Sequence, residues 1–303
     1  MTLVTARLLS WHHFFKQAKR LVGKLAISQL NQKCVYEKPL SLATANALKS
    51  IFKAPISTFF VLFAISALSV GCASDTQLAR DHEQLTQRAR AHTDLGAAYF
   101  QQNQLEIALN EFNVAKEIDP NFALAYNGLG LVHAALGQDD IADVNFKKSI
   151  LLEPTNSESH NNYGSFLCAR NRIDESIIQF LAAVKNPLYG TPQIAYTNAG
   201  ICAVRKNDTV SATRYFENAL QIDPLFNAPA YQLAMLQFKQ NKPVEAKVTL
   251  QNVLLSNPTA EMLWLAVQIE RSVGARDAEA SYALQLRKLF PNSEQAKLLQ
   301  SGN

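Results

Sequence analysis

Small, apolar and polar positions recur along residues 89–292 with a period of 34. Leu95-Gly96 returns as Leu129-Gly130, Tyr163-Gly164 and Ala199-Gly200, the glycines 34, 34 and 36 residues apart. Twelve positions after each glycine stands a small residue (Ala108, Ala142, Ser176, Ala212), and four further on an aromatic one (Phe112, Phe146, Phe180, Phe216). Each unit closes on proline, in Ile118-Asp119-Pro120, Leu152-Glu153-Pro154, Asn186-Pro187 and Ile222-Asp223-Pro224. A fifth copy has Leu233-Ala234, Ala246, Leu250 and Pro258; a sixth is degenerate, with Trp264, Leu284 and Pro291. Polar or helix-breaking clusters divide each unit in two: Gln102-Asn103-Gln104, Gly137-Gln138-Asp139-Asp140, Arg170-Asn171-Arg172, Lys206-Asn207-Asp208 and Asn241-Lys242-Pro243. The pattern predicts two antiparallel helices per unit, stopped by a proline that lacks an N–H and disfavours helical geometry in the residue before it.

These residues resemble the tetratricopeptide repeat, a helix hairpin that stacks on its neighbours. The resemblance implies an all-α protein, a tetratricopeptide-repeat superhelix with repeats at 89–122, 123–156, 157–190, 193–226, 227–260 and a loose one at 261–292. In this reading Gly96, Gly130, Gly164 and Gly200, at the eighth repeat position, let the two helices of a hairpin approach, and the four phenylalanines fill the space beyond. The two extra residues of the third interval fall in Leu188-Tyr189-Gly190-Thr191-Pro192, a loop expected to interrupt the stack. Residues 293–301 suit a short closing helix with a polar outer side.

Upstream, Ile56 to Gly71 is an uncharged and mostly apolar run, preceded by Lys49 and Lys53 and followed by the polar turn Cys72-Ala73-Ser74-Asp75. A basic flank, a short apolar core and small residues before the break are the parts of an export signal, placed at 48–71. About 16 residues is short for a membrane-spanning helix, which needs about 20. Leu68-Ser69-Val70-Gly71-Cys72 resembles the lipobox of bacterial lipoproteins, with Ser69 where that family has Leu. The resemblance implies lipidation of Cys72, with several acyl chains where a single one anchors only marginally. Ala73, rather than Asp, after the cysteine implies sorting to the outer membrane. Residues 1–47 are expected to be a basic extension from an over-extended gene start, or a very long basic leader. Residues 72–88, the lipidated cysteine and a tether or leading helix, would join lipid to repeats.

Locating the charge alters the meaning of its total. The chain carries +4 overall, but residues 1–72 hold nine Lys/Arg and one acid, leaving 20 Lys/Arg against 24 Asp/Glu after Cys72. The repeat region is acidic, so it lacks the basic footing that phosphate binding needs, and no nucleic-acid partner is expected. No nucleotide loop, zinc pattern or nucleophile elbow appears, and the carboxylates are scattered. His92, His133 and His160 occupy repeat positions that pack. No enzyme activity, cofactor, metal or small-molecule substrate is expected.

Cys168 and Cys202 lie on the first helices of adjacent repeats, either as a disulfide in an oxidising compartment or as two buried thiols. The groove of such an array is lined by positions two, five, nine and twelve of the first helices, here including Arg90, Thr93, Ala97, Phe100, Leu124, Asn127, Leu131, Asn161 and Ser165. Asn127 and Asn161 are one period apart, and Asn162 matches Asn198. Amides so arrayed offer both donor and acceptor to a peptide backbone; alternatively they cap or solvate their own helices. Phe100, Leu124 and Leu131 would add an apolar stripe for a partner segment.

With Cys72, the six units and the stretches Asn161-Asn-Tyr-Gly-Ser-Phe-Leu167, Asn186-Pro-Leu-Tyr-Gly190 and Tyr282-Ala-Leu-Gln-Leu-Arg-Lys-Leu-Phe-Pro291, residues 56–300 resemble the type IV pilus biogenesis/stability proteins of the PilW/PilF type. That resemblance implies a pilotin: an outer-membrane lipoprotein that binds the pilus secretin, helps it localise and multimerise, and so supports twitching motility. It also implies that Cys168 and Cys202 pair. The same anchor and repeats would serve a general periplasmic scaffold or adaptor.

Overall fold

A computed structural model describes residues 58–301, with side chains from Gln77 onward. The basic extension and the start of the export signal lie outside the described residues. Cys72 falls within the backbone of a helix, and its side chain is outside what is described.

All regular elements among the described residues are helices. They are α1 (Thr58–Gln101), α2 (Leu105–Ile118), α3 (Ala123–Ala135), α4 (Asp139–Leu152), α5 (Ser157–Ala169), α6 (Ile173–Ala183) and α7 (Pro192–Arg205). After these come α8 (Thr209–Ile222), α9 (Asn227–Lys239), α10 (Pro243–Ser256), α11 (Ala260–Ser272), α12 (Arg276–Leu289) and α13 (Glu294–Gln300). This is the all-α tetratricopeptide-repeat fold that the 34-residue period predicts. Among the described residues no helix is long and apolar enough to cross a membrane.

The chain divides into two compact units, residues 1–83 and 84–303. In the first, the described residues belong to α1, where Gln77 Nε2 donates to Asp81 Oδ1 at 2.9 Å, one helical turn on. The second unit contains the hairpins: the end of α1 with α2, then α3/α4, α5/α6, α7/α8, α9/α10 and α11/α12, with α13 last.

One device turns the chain inside each hairpin. Asn103, Asn171, Asn207 and Asn241 have φ between 59° and 63°, and Gly137 and Gly274 have φ of 72° and 73°. Only glycine, and asparagine among the residues with side chains, adopts this left-handed geometry cheaply, which is why the turns are written with these two. At the far end of the hairpins, Asp119 Oδ1 accepts from Asn121 N and Asp223 Oδ1 from Leu225 N, at 2.9 and 3.1 Å. These Asx turns reverse the chain beside the prolines.

The core is laid down hairpin by hairpin. Phe112, Phe146, Phe180 and Phe216 are each at most 2% exposed. Each ring lies against the glycine sixteen residues before it: a Cβ added at Gly96, Gly130, Gly164 or Gly200 would come within 2.9, 2.7, 2.8 or 2.5 Å of a ring carbon. The glycines therefore admit a buried ring worth about 1.5–3 kcal/mol of transfer free energy apiece. Tyr163 stacks on Phe146 and Phe166 lies tilted against it, with ring centroids 5.5 and 5.4 Å from it.

The third hairpin departs from the others. α6 ends at Ala183, and the longer connection sends Tyr189 partly into the core of the fourth hairpin while Leu188 stands 89% exposed. Asn186 steadies this loop, donating from Nδ2 to Thr155 O at 3.2 Å and accepting from Leu188 N at 3.0 Å. At the C-terminal end α11 is well enclosed, with Met262, Leu263, Val267 and Ile269 buried, and α13 closes over it through Ala296. Ser293 Oγ caps α13, accepting from Ala296 N at 3.1 Å.

Candidate functional site: the groove face of the first helices

The positions expected to line a groove fall on one helix of each hairpin: the end of α1, then α3, α5, α7 and α9. At the fifth repeat position these carry Thr93, Asn127, Asn161, Thr197 and Tyr231. The two threonines, both buried, turn back on their own helices, Thr93 Oγ1 to Ala89 O at 2.9 Å and Thr197 Oγ1 to Gln193 O at 2.7 Å. The asparagines instead reach across repeats. Asn162 Nδ2 donates to Asn127 Oδ1 at 3.4 Å, and Asn198 Nδ2 donates to Asn161 Oδ1 at 3.1 Å.

The four amides are thus joined as two rungs, each running from the sixth position of one repeat to the fifth of the repeat before. The sequence aligned Asn127 with Asn161 and Asn162 with Asn198, along the rows. The structure bonds them between the rows, and in these rungs they neither cap nor merely solvate their own helices. Asn127 is 5% exposed, whereas Asn161, Asn162 and Asn198 are partly exposed. Phe100, Leu124 and Leu131 are half-buried, each packed against a different part of the core, and Ser165 is exposed with its Oγ bonded to Asn161 O at 2.9 Å.

Gly128, beside Asn127, is a packing position that the sequence reading missed. A Cβ there would lie 2.2 Å from the Phe112 ring, so the second repeat sits against the first hairpin's aromatic core only because this residue is glycine. The signal was present: the sixth position is an amide in the next three repeats (Asn162, Asn198, Gln232) and glycine only here.

Cys168 and Cys202 meet across the seam between the third and fourth hairpins. Their sulfurs are joined, with Cα atoms 6.0 Å apart, and both residues are buried. Arg205 Nη1 donates to Cys168 O at 2.7 Å, a second tie across the same seam.

A polar clamp holds the second and third hairpins on their outer side. Asp143 accepts from Tyr163 Oη at 2.8 Å, from Arg172 Nη1 at 2.6 Å and from Lys147 Nζ at 2.6 Å. Burial raises the Asp143 carboxyl, but the bonds from Lys147, Arg172 and Tyr163 outweigh it and hold the group below its ordinary value. Tyr163 is pushed well above the usual phenol value, first by burial and then by the carboxylate it donates to. Arg170 forks onto Asp139 from Nε and Nη2 at 2.7 and 2.6 Å and lies over the Phe166 ring at 5.4 Å. Lys206 pairs with Asp174 one repeat later.

His92 and His133 bond within their own hairpins, and His160 bonds both its own hairpin and the connection before it. His92 Nδ1 meets Glu111 Oε2 at 2.7 Å, His133 Nδ1 meets Gln138 Oε1 at 2.5 Å, and His160 meets Gln179 Oε1 and Pro154 O at 2.7 and 3.0 Å. Among the described residues no three His, Cys, Asp or Glu side chains are gathered as a metal ion would require.

A stack of helix hairpins in a 34-residue register defines the class, a tetratricopeptide-repeat protein. Residues 96–137 match the TPR repeat family and residues 203–268 the tetratricopeptide repeat family. Over 204 residues the chain is 29% identical to the type IV pilus assembly protein PilF of Pseudomonas aeruginosa, covering 67% of this chain and 81% of PilF. A solved structure of Pseudomonas aeruginosa PilF superposes with a TM-score of 0.62 at 27% identity, covering 73% of this chain and 100% of that one. The crystal structure of PilW, a widely conserved type IV pilus biogenesis factor, gives 0.60 at 28% identity, covering 70% and 98%. The chain is a homologue of PilF and is similar in structure to PilF and PilW, with tetratricopeptide repeats.

Proposed function

We propose that the chain is a pilotin, a lipoprotein anchored at the outer membrane through Cys72, which grips the type IV pilus secretin in its repeat groove and promotes its localisation and multimerisation. The observation that supports this reading is the pair of amide rungs on the first helices, in a homologue of a type IV pilus assembly protein. The Asn127–Asn162 and Asn161–Asn198 rungs fix amide dipoles before any partner arrives, so little ordering remains to oppose binding. An extended partner segment would use amide groups left over from the rungs for its backbone and would rest apolar side chains on Phe100, Leu124 and Leu131. No bond-making step is needed. A lipid at Cys72 supplies the address, and the hairpins supply the grip.

Deleting the gene and measuring secretin multimers and twitching motility tests the reading. Both should fall, return with the wild-type gene, and fail to return fully with Asn161→Ala/Asn198→Ala. Cys72→Ala should abolish acyl labelling and release the protein from membranes. Unchanged secretin multimers in the deletion strain would overturn the pilotin role, and loss of a different envelope complex would assign the chain to general scaffolding.

A further inference from the structure

The bridge between the third and fourth hairpins treats its two sulfurs differently. Arg205 Nη1, which donates to Cys168 O at 2.7 Å, also donates to Cys168 Sγ at 3.6 Å. Among the described residues no hydrogen bond reaches Cys202 Sγ, and Arg205 forms no ion pair with a carboxylate. Arg205 is the last residue of α7 and is exposed, so an unneutralised cation folds back over the seam onto one sulfur. Both cysteines otherwise sit in an apolar cluster with Ile173, Phe180, Ala199 and Phe216. Their places on the helices differ too. Cys168 lies in the last turn of α5, followed by the exposed Ala169, Arg170 and Asn171, whereas Cys202 is 2% exposed and followed by the fully buried Ala203.

We infer that Cys168 is the entry thiol of this bridge, the sulfur at which a disulfide oxidant engages the reduced chain, and that Arg205 sets that order. A thiol reacts as its thiolate; apolar surroundings keep it protonated, and a neighbouring guanidinium favours the anion. Cys202 feels only the first influence, Cys168 both. The carbonyl end of α5 disfavours negative charge at Cys168, and Arg205 offsets this by bonding the Cys168 carbonyl while facing the sulfur. In the first step the Cys168 thiolate attacks one sulfur of the oxidant's disulfide. That bond breaks, its other sulfur leaves as a thiolate, and a mixed disulfide remains on Cys168. Cys202, whose Cα lies 6.0 Å from that of Cys168, gives up its proton to the departed thiolate and attacks Cys168 Sγ. The bridge forms, the oxidant's second sulfur is expelled, and two electrons have passed from the chain to the oxidant. The pilotin reading neither requires nor supplies this order.

Oxidised glutathione, added at neutral pH to the reduced and desalted full chain, tests this, with mixed disulfides mapped by peptide mass so that Cys34 and Cys72 are read apart. In Cys202→Ser, Cys168 should capture glutathione about tenfold faster than Cys202 does in Cys168→Ser: a guanidinium worth about a hundredfold in thiolate population is half offset by the lower nucleophilicity of the more acidic thiol. Adding Arg205→Met to Cys202→Ser should remove that about tenfold advantage, and Arg205→Lys, which keeps a cation at the site, should restore most of it. A purely structural role predicts the opposite sign, because untying the seam exposes both sulfurs and speeds capture at each. Circular dichroism checks that the variants are folded. An acid-quenched time course of the wild-type chain, which needs no substitution, should show the glutathione adduct on the Cys168 peptide before the bridge closes. Equal capture by the two cysteines, a first adduct on Cys202, or capture at Cys168 unchanged or faster with Arg205→Met would overturn the assignment. The rates are read on the isolated chain, so they stand or fall apart from secretin multimerisation.

Discussion

Replacing Gly128 by alanine isolates the contact that seats the second repeat on the first. In an ordinary helix interior this change is favourable by about 0.8–1.0 kcal/mol, since alanine is the better helix former. Here the new methyl would lie 2.2, 2.4 and 2.5 Å from three carbons of the Phe112 ring, against the 3.5–4.0 Å at which carbon atoms rest. The ring must retreat by more than about 1 Å, yet it is 2% exposed and packed among Ala108, Leu129 and Val132. Overpacking of this kind costs about 1–3 kcal/mol, so Gly128→Ala, instead of stabilising, should be destabilising by up to about 2 kcal/mol once the helix gain is subtracted. Phe112→Leu makes room for the methyl. In that background Gly128→Ala should be neutral or stabilising, giving a double-mutant coupling of about 2 kcal/mol. Urea midpoints followed by circular dichroism measure the cycle. Gly190→Ala serves as the control, because nothing lies within 4 Å of a Cβ there. If Gly128→Ala raised the midpoint and the coupling were zero, the ring would not be lying on this backbone and the account of the inter-repeat contact would fail.

Other perturbations reach different ties. Cys168→Ser/Cys202→Ser should lower stability by about 4 kcal/mol on the chain-entropy model for a 34-residue separation, and alkylation with and without reductant should differ in mass by two labelled thiols; no difference would mean free thiols. Asp143→Asn should cost roughly 2 kcal/mol at pH 7, since it removes charge-assisted bonds from Arg172 and Lys147. Because the folded state holds Asp143 below its ordinary value, its contribution is complete above about pH 4 and disappears as pH falls through the lowered value. The gap between wild type and Asp143→Asn should therefore narrow on going from neutral pH to about pH 3; a constant gap would show that the carboxylate's charge is not what the clamp uses. Glu270→Gln should be more costly than Glu279→Gln in thermal melts, because the Glu270 carboxylate is 2% exposed and faces Lys247 while Glu279 is 25% exposed beside Arg271.

Much of this architecture was legible because it is periodic. The phenylalanines recur in register, and each meets a glycine of its own hairpin, so one local rule applied four times fixes the core. The turn asparagines are legible for the same reason: each answers a backbone demand set within a few residues. What the sequence concealed is geometry between repeats. The amide rungs join residues 35 and 37 apart, one more than the 34- and 36-residue intervals between those repeats, so they link unlike positions that a comparison of like positions does not pair. Gly128 escaped notice because it breaks the period instead of obeying it. The Asp143 clamp draws on Tyr163 and Arg172, which look in sequence like an ordinary aromatic and an ordinary turn cation. The candidate groove residues were found by position, yet their mutual bonding emerged only when neighbouring hairpins were set side by side.

The sulfur bridge between the third and fourth hairpins lies in the middle of the stack. In a linear array each hairpin leans only on its neighbours, so unravelling begins at an end and advances one unit at a time. A covalent cross-tie placed centrally halts that advance from both directions. A protease attacking a frayed end should therefore leave a resistant kernel around residues 157–226, and pulling on either end should peel helices away down to that kernel before the two halves part.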